Sequence, residues 1–242
     1  MREQRDKGRE DAEGDMTRDV GVRGGAQSHD DGCNEAEQAD SDRGEKGLSH
    51  ESKYHASPFV VQWVHRVAPF VPEPRRALDV AMGHGRHAGV LARAGLQTFG
   101  VDIALTAVRD ASAQAAAEGL IVRGWCADLT RSPLPVARFG LVLVTRYLQR
   151  DLFPSLRAAL VPGGFALYET FTVHQRIFGV GPASPDHLLE DGELIARFEG
   201  FEIVFYEEVV DREGVARIVA RKRFNLSYSS RGSDVLPGRV EP

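Results

Sequence analysis

The stretch "RALDVAMGHGRHAGVLARAG", Arg76 to Gly95, restricts the fold more than any other part of the chain. A short apolar run ends near Asp79, crosses a turn carrying Gly83 and Gly85, and enters a helical pattern of Ala88, Leu91 and Ala94 that stops at Gly95. Nucleotide-binding folds join a strand, a glycine turn and a helix N-terminus in this order, because glycine lets backbone N–H groups come close to a ligand.

The rest of the body repeats the alternation. Ser57 and Pro58 suit the start of a first helix whose stripe is Phe59, Val60, Trp63, Val64 and Val67. "LQTFGVDI" reads as a second strand, followed by an alanine-rich helix from about Leu105 to Glu118, and "LIVRGWCADL" as a third strand ending near Asp128. Leu141 to Thr145 is apolar throughout, as a parallel strand buried on both faces must be. A short helix through Asp151, Pro154, Leu156 and Leu160 leads to a fifth strand, "VPGGFALYETF". "EDGELIARFEGF" then reads as a helix, and "FEIVFYEEV" with "GVARIVARKR" as a closing hairpin. Strands separated by helices imply a doubly wound parallel α/β sheet.

Composition sets the domain limits. Residues 1–52 hold 8 Lys+Arg against 15 Asp+Glu, no aromatic residue, and little aliphatic material beyond Val20, Val22 and Leu48. Burial there cannot offset the entropy of ordering, so a disordered acidic tail is expected over 1–52, one domain over 53–224, and a flexible tail over 225–242. The remainder, 22 Lys+Arg against 20 Asp+Glu, lacks the excess of basic charge that binding along a phosphate backbone requires, which argues against a nucleic-acid partner. Cys33 and Cys126 form neither a disulfide framework nor a metal cluster, and no metal is expected. No run has the length of a membrane span, so a soluble cytoplasmic protein without a membrane partner is expected.

Ligands of such sheets bind beyond the carboxyl ends of the strands. Three of the first four strands deliver aspartates there, Asp79, Asp102 and Asp128, and the fourth delivers Thr145. Asp102 suits the paired hydroxyls of a ribose, or the cap of the helix that follows. "GHGRHA", Gly83 to Ala88, satisfies a dinucleotide fingerprint with alanine in its last position. A dinucleotide, however, would set its pyrophosphate near Asp79, four residues before the first turn glycine. S-adenosylmethionine carries an ammonium and a sulfonium instead, which Asp79 favours.

"LDVAMGHGRHA", "FGVDI", "CADL" and "FGLVLVTRYLQRDLFPSLRAALVPGGFALYETF" resemble the successive motifs of class I S-adenosylmethionine-dependent methyltransferases. The last block is similar to the tellurite-resistance-type branch. The resemblance implies a seven-stranded Rossmann-like sheet with a terminal antiparallel strand, and S-adenosylmethionine as cofactor. It implies that Asp79, Ala81, Gly83 and Gly85 form the methionine-side loop. Asp102, with Ile103 beside it, would hold the ribose, Asp128 and Leu129 the adenine, and Thr145 would lie near the reacting methyl. Ala81 departs from the glycine of the strictest pattern and is tolerable at negative φ, while Met82 is large enough to narrow the pocket.

The methyl acceptor expected from this reading is a small molecule, with a chalcogen oxyanion suggested by the resemblance. The segment Glu169 to Gly192 leaves the fifth strand at the binding edge, is broken by Gly179, Gly181, Pro182 and Pro185, and carries Phe171, Ile177 and Phe178, which suit a lid. His174 is its candidate catalytic residue, a base or a ligand for the acceptor, with Arg176 to attract an anion. Tyr147, Glu169 and His187 are further candidates near the mouth, while His84 and His87 read as solvent-facing or packing residues. Two other classes of function stay open: an NAD(P)-dependent Rossmann oxidoreductase and a cofactor-binding module without catalysis.

Overall fold

The computed structural model describes residues 55–224, and the two expected tails lie outside them. Helix α1, Pro58–Val67, buries Phe59, Val60, Val64 and Val67 of the stripe read from the sequence and leaves Trp63 half-buried. Ser57 occupies its N-cap position but makes no side-chain cap. A cis Glu73–Pro74 bond precedes β1, Arg76–Val80. There follow α2, Ala88–Arg93; β2, Gln97–Asp102; α3, Leu105–Ala117; β3, Val122–Cys126; and β4, Phe139–Thr145. The chain continues through α4, Phe153–Ala159; β5, Leu160–Phe171; α5, Glu193–Arg197; β6, Glu202–Val210; and β7, Gly214–Arg221.

The strands form one seven-stranded sheet in the order β3-β2-β1-β4-β5-β7-β6, with β7 antiparallel to both neighbours. This is the doubly wound arrangement expected, and its strand order reverses between β1 and β4. Asp79 and Thr145 therefore flank the switch point, where such sheets bind ligands. Residues in register on parallel strands share a face, so Ala77, Thr98 and Val122 belong to one side and Leu78, Phe99 and Arg123 to the other. The first side is covered by α1, α2 and α3 through Val60, Val64, Leu91, Ala88 and Ala115. The second is covered by α4 and α5 through Phe153, Leu156, Leu194 and Phe198.

Three expected boundaries move. β3 stops at Cys126, because Asp128 turns the chain by accepting from the Thr130 N–H at 2.9 Å. Leu160 opens β5 opposite Phe139 rather than closing a helix. The helix expected over 190–201 keeps only Glu193–Arg197, since Gly192 and Gly200 at either side have φ of 70° and 84°. Among the described residues no helix is long and apolar enough to cross a membrane.

Candidate cofactor and acceptor site

The glycine turn is pinned from three directions. Met82 N–H donates to the Val101 carbonyl at 3.0 Å and Gly85 N–H to the Met82 carbonyl at 3.0 Å. Gly83 N–H donates to Asp102 Oδ2 at 2.8 Å, while Asp102 Oδ1 accepts from the Ala104 N–H at 3.0 Å. Asp102 thus joins the turn to the start of α3, and each of its oxygens retains a lone pair for a ligand hydroxyl. The cap reading is a correction: the N-cap of α3 is Ala104 and no side chain caps the helix, so Asp102 orders the approach to α3 without capping it.

The two turn glycines are needed for different reasons. A side chain on Gly83, at φ 52°, would project into open space above the turn. One on Gly85, at φ 79°, would lie 2.6 Å from the Ala111 Cβ of α3, so Gly85 permits close packing of turn on helix. Ala81 is a correction: its φ is 52°, not negative, so the missing glycine leaves alanine in a left-handed conformation that costs roughly 1–2 kcal/mol. Met82 is another. Its side chain is buried with Val108 and Ala111 and fills the space over Gly100 and Gly124, so it packs beneath α3 instead of narrowing a pocket. Glycines inside two adjacent strands were the sequence signal for that close approach.

Asp79 lies under the turn, fully buried, and neither of its oxygens has a hydrogen-bond partner. Burial pushes its carboxyl up to about 8, and the nearby Arg86 guanidinium and Ala88 N–H offset only part of that penalty. Without a further cation this acid is held neutral near pH 7. A positive group bound above the turn would favour its ionised form.

Asp128 stands two residues beyond β3. Its Oδ1 accepts from the Thr130 hydroxyl at 2.6 Å and its Oδ2 pairs with Arg131 at 3.4 Å. The Thr130 hydroxyl and N–H hold its carboxyl below the usual carboxylate range. Leu129 packs partly buried against the core, and its carbonyl accepts from Gln149 at 3.4 Å. The Ile103 carbonyl accepts from the Cys126 thiol at 3.0 Å, which ties the ends of β2 and β3 together.

At the end of β4, the Thr145 hydroxyl lies 2.9 Å from His87 Nδ1, and His87 Nε2 accepts from the Ser57 N–H at 3.1 Å. His87 is 2% exposed; burial and the nearby Arg86 and Arg146 guanidinium groups push it down to about 3. It is therefore a buried neutral connector between α1 and β4. Nothing in the spacing of the sequence distinguished it from a packing histidine.

Thr145, Glu169, Arg217 and Glu207 face one another in a row across β4, β5, β7 and β6. Glu169 is buried; its Oε2 accepts from Arg217 Nε at 2.5 Å, and Arg217 Nη1 donates to Glu207 at 2.9 Å. Arg146, at φ 55°, donates to both oxygens of Glu213 at 2.7 and 2.8 Å and lies 4.3 Å over the Phe171 ring. Glu169 was a candidate and Arg146 follows Thr145 at the end of β4, but Arg217 and Glu213 were missed. Arg217 had left a trace, a charge at a position where the alternation of Val215 and Val219 calls for an apolar residue.

The expected lid is a folded loop with a closed neck. Thr172 bridges Leu189, short 3₁₀ turns span Val173–Phe178 and Pro185–His187, and buried Gln175 bonds the Val180 carbonyl and the Gly214 N–H. Arg150 clamps its far side through Glu193 at 2.8 Å and the Leu188 carbonyl at 2.9 Å. These bonds hold the neck and one side of the segment in place. Phe171 is buried at the end of β5, while Ile177 at the tip is 69% exposed. His174 Nε2 meets Asp191 Oδ1 at 2.9 Å, beside the start of β7, while Arg176 and His187 are exposed. Tyr147 donates from its hydroxyl to Gln149 at 2.6 Å. The structure thus groups Asp79, Gly83 and Asp102 around the glycine turn and places His174 beyond β5, in contact with neither that group nor Thr145. Among the described residues no group of three or more His, Cys, Asp or Glu is placed to hold a metal ion.

A family model described as a methyltransferase domain matches residues 77–164. The fold is similar to TehB from Haemophilus influenzae at 18% identity, with a TM-score of 0.55 over 67% of this chain. The similarity spans 62% of TehB's length. A methyltransferase from Mesorhizobium loti, described as S-adenosylmethionine-dependent, matches at 20% identity and TM-score 0.53, over 67% of this chain and 98% of that one. The [4+2]-cyclase SpnF matches at 19% identity and TM-score 0.54, over 68% and 80%. No curated protein matches the sequence.

Proposed function

We propose that this chain is a class I S-adenosylmethionine-dependent methyltransferase that transfers a methyl group to a small molecule, a reading supported by its fold and by the methyltransferase domain matched over residues 77–164. The observation that carries this reading is Asp79, a buried carboxylate without a partner beneath a turn that opens at Gly83. Those residues fit a cationic ligand, which would favour the ionised form of Asp79, whereas a pyrophosphate would hold the acid neutral and leave it unpaired.

When bound, S-adenosylmethionine supplies a methyl group on a positively charged sulfur. The turn at Gly83 and Gly85, with Ala81 before it, would cradle the methionine end, and Asp79 would favour its positive charge from below. Asp102 would accept from the ribose hydroxyls, with Ile103 beside it, and Asp128 and Leu129 would contact the adenine. Thr145 would stand at the switch point beside the reacting methyl. The chain's main contribution to rate is alignment, worth on the order of 7–11 kcal/mol for well-placed partners. An anionic acceptor needs no base. For a neutral one, His174, paired with Asp191, is the group proposed to take the proton.

A chalcogen oxyanion is the first acceptor to test, on the family resemblance alone. Incubation with labelled S-adenosylmethionine and a metabolite extract is expected to place label in a small product. Label confined to the cofactor, with the cofactor bound, would favour a module without transfer or another reaction on this fold, as SpnF's name illustrates.

A further inference from the structure

The hydrogen-bond chain from Ser57 through His87 to Thr145 has a direction that the atoms themselves fix. A backbone N–H only donates, so His87 Nε2, 3.1 Å from the Ser57 nitrogen, must offer a lone pair. In a neutral imidazole the hydrogen then sits on Nδ1, 2.9 Å from the Thr145 hydroxyl oxygen. Thr145 therefore accepts from His87, and its own hydrogen is left over. No described residue accepts that hydrogen, and Thr145 keeps 8% of its surface exposed at the carboxyl edge.

We propose that His87 is a positioning residue that presents the Thr145 hydroxyl as a hydrogen-bond donor to a lone pair of the methyl acceptor. The proposal rests on the methyltransferase reading of this edge. It narrows the acceptor to a group with a lone pair to spare beside the one that attacks, an oxygen, a sulfur or a chalcogen oxyanion, since a carbon or amine nucleophile has none left to receive the bond. It also makes α1 part of the site. The two bonds to one imidazole join positions 30 and 58 residues apart, so the entry into α1 sets the angle of the hydroxyl at the end of β4.

Two substitutions separate the two bonds. The amide of asparagine reaches about where Nδ1 stands, so His87→Asn keeps a donor for Thr145 and gives up Ser57. Glutamine reaches toward Nε2, so His87→Gln keeps an acceptor for Ser57 and gives up Thr145. Transfer of label from S-adenosylmethionine into the metabolite extract is expected to fall about ten- to a hundredfold in His87→Gln and in Thr145→Val, and much less in His87→Asn. The double variant His87→Gln with Thr145→Val is expected to lose no more than either alone. Calorimetric affinity for S-adenosylmethionine should stay within a few-fold of wild type in all of them. Nitrogen-15 imidazole spectra of the wild-type protein supply a reading that needs no variant: the hydrogen is expected on Nδ1. If wild type neither binds nor turns over S-adenosylmethionine, the methyltransferase reading falls and this proposal with it. If wild type transfers label but the hydrogen is on Nε2, or the Asn and Gln variants are equally active, only the proposal falls.

Discussion

The two halves of the carboxyl edge are built by different means. On the β1–β2–β3 side, Asp102 and Asp128 are held by backbone N–H groups and a hydroxyl close at hand, Gly83 and Ala104 for the first and Thr130 for the second, while Asp79 is buried without a partner. On the β4–β5–β7 side, Glu169, Arg217, Arg146, Glu207 and Glu213 pair with one another across strands distant in sequence, leaving only Glu169 Oε1 and Arg146 Nη1 among their buried atoms without a hydrogen bond. The first half leaves acceptor capacity for a ligand. The second spends most of its charge on its own structure, and removing one member there leaves buried partners exposed to the full cost of desolvation.

The largest expected effect follows from that contrast. Glu169→Ala removes the buried carboxylate that Arg217 Nε bonds, leaving Arg217 to Glu207 and Glu213, and is expected to cost about 3–5 kcal/mol of stability in denaturant unfolding. Asp102→Ala, on the other side, should lose only about 1–2 kcal/mol of stability, for two hydrogen bonds to backbone N–H groups, while weakening S-adenosylmethionine about ten- to a hundredfold by calorimetry. Comparable stability losses in the two variants would erase the distinction between the halves.

A second comparison sets Asp79 against His87, whose burial acts with opposite sign. Asp79 is raised from 3.8 to about 8, so the folded chain keeps a proton that the unfolded chain has released, and stability falls as pH rises through that window. His87 is lowered from 6.5 to about 3, so the unfolded chain binds the extra proton, and stability falls as pH drops through that window. The two slopes oppose each other below pH 6.5, and only that of Asp79 remains between 6.5 and 8. The melting temperature without cofactor should decline over that upper interval, and Asp79→Asn should flatten the decline. S-adenosylmethionine should flatten it as well, releasing protons on binding as Asp79 ionises.

Smaller effects sharpen the picture of the turn and the loop. Ala81→Gly relieves a left-handed alanine at the cost of a more flexible unfolded chain, and a net gain of about 0.5–1 kcal/mol is expected in denaturant unfolding. His174→Ala breaks a pair that is 43% and 68% exposed at its two side chains, so its effect on stability should be within about 1 kcal/mol. The same variant should lower transfer to the true acceptor while leaving S-adenosylmethionine affinity unchanged. Full activity would remove His174 from the mechanism.

How much of this was readable in the sequence follows the same division. β1, with its glycine turn and Asp102, was legible because each signal is local: a strand period, a turn residue, a helix stop. Met82 was misjudged because its direction depends on Gly100 and Gly124, two strands that no local pattern connects to it. The positive φ of Ala81 is imposed by a turn held in place from Val101 and Asp102. The neck of the loop after β5 rests on Thr172, Leu189 and the distant Arg150, contacts that a run of glycines and prolines read as a lid does not announce. His87 gives its meaning only once Ser57 and Thr145 are known to meet it.

The most direct test is a pair of titrations of the wild-type chain, one with S-adenosylmethionine and one with NADH. A carboxylate under the turn and open space above Gly83 predict saturable binding of S-adenosylmethionine with proton release near pH 7, and no binding of NADH at the same concentrations. Saturable binding of NADH, or no binding of S-adenosylmethionine to the folded protein, would contradict the cationic reading of this turn and the methyl transfer inferred from it.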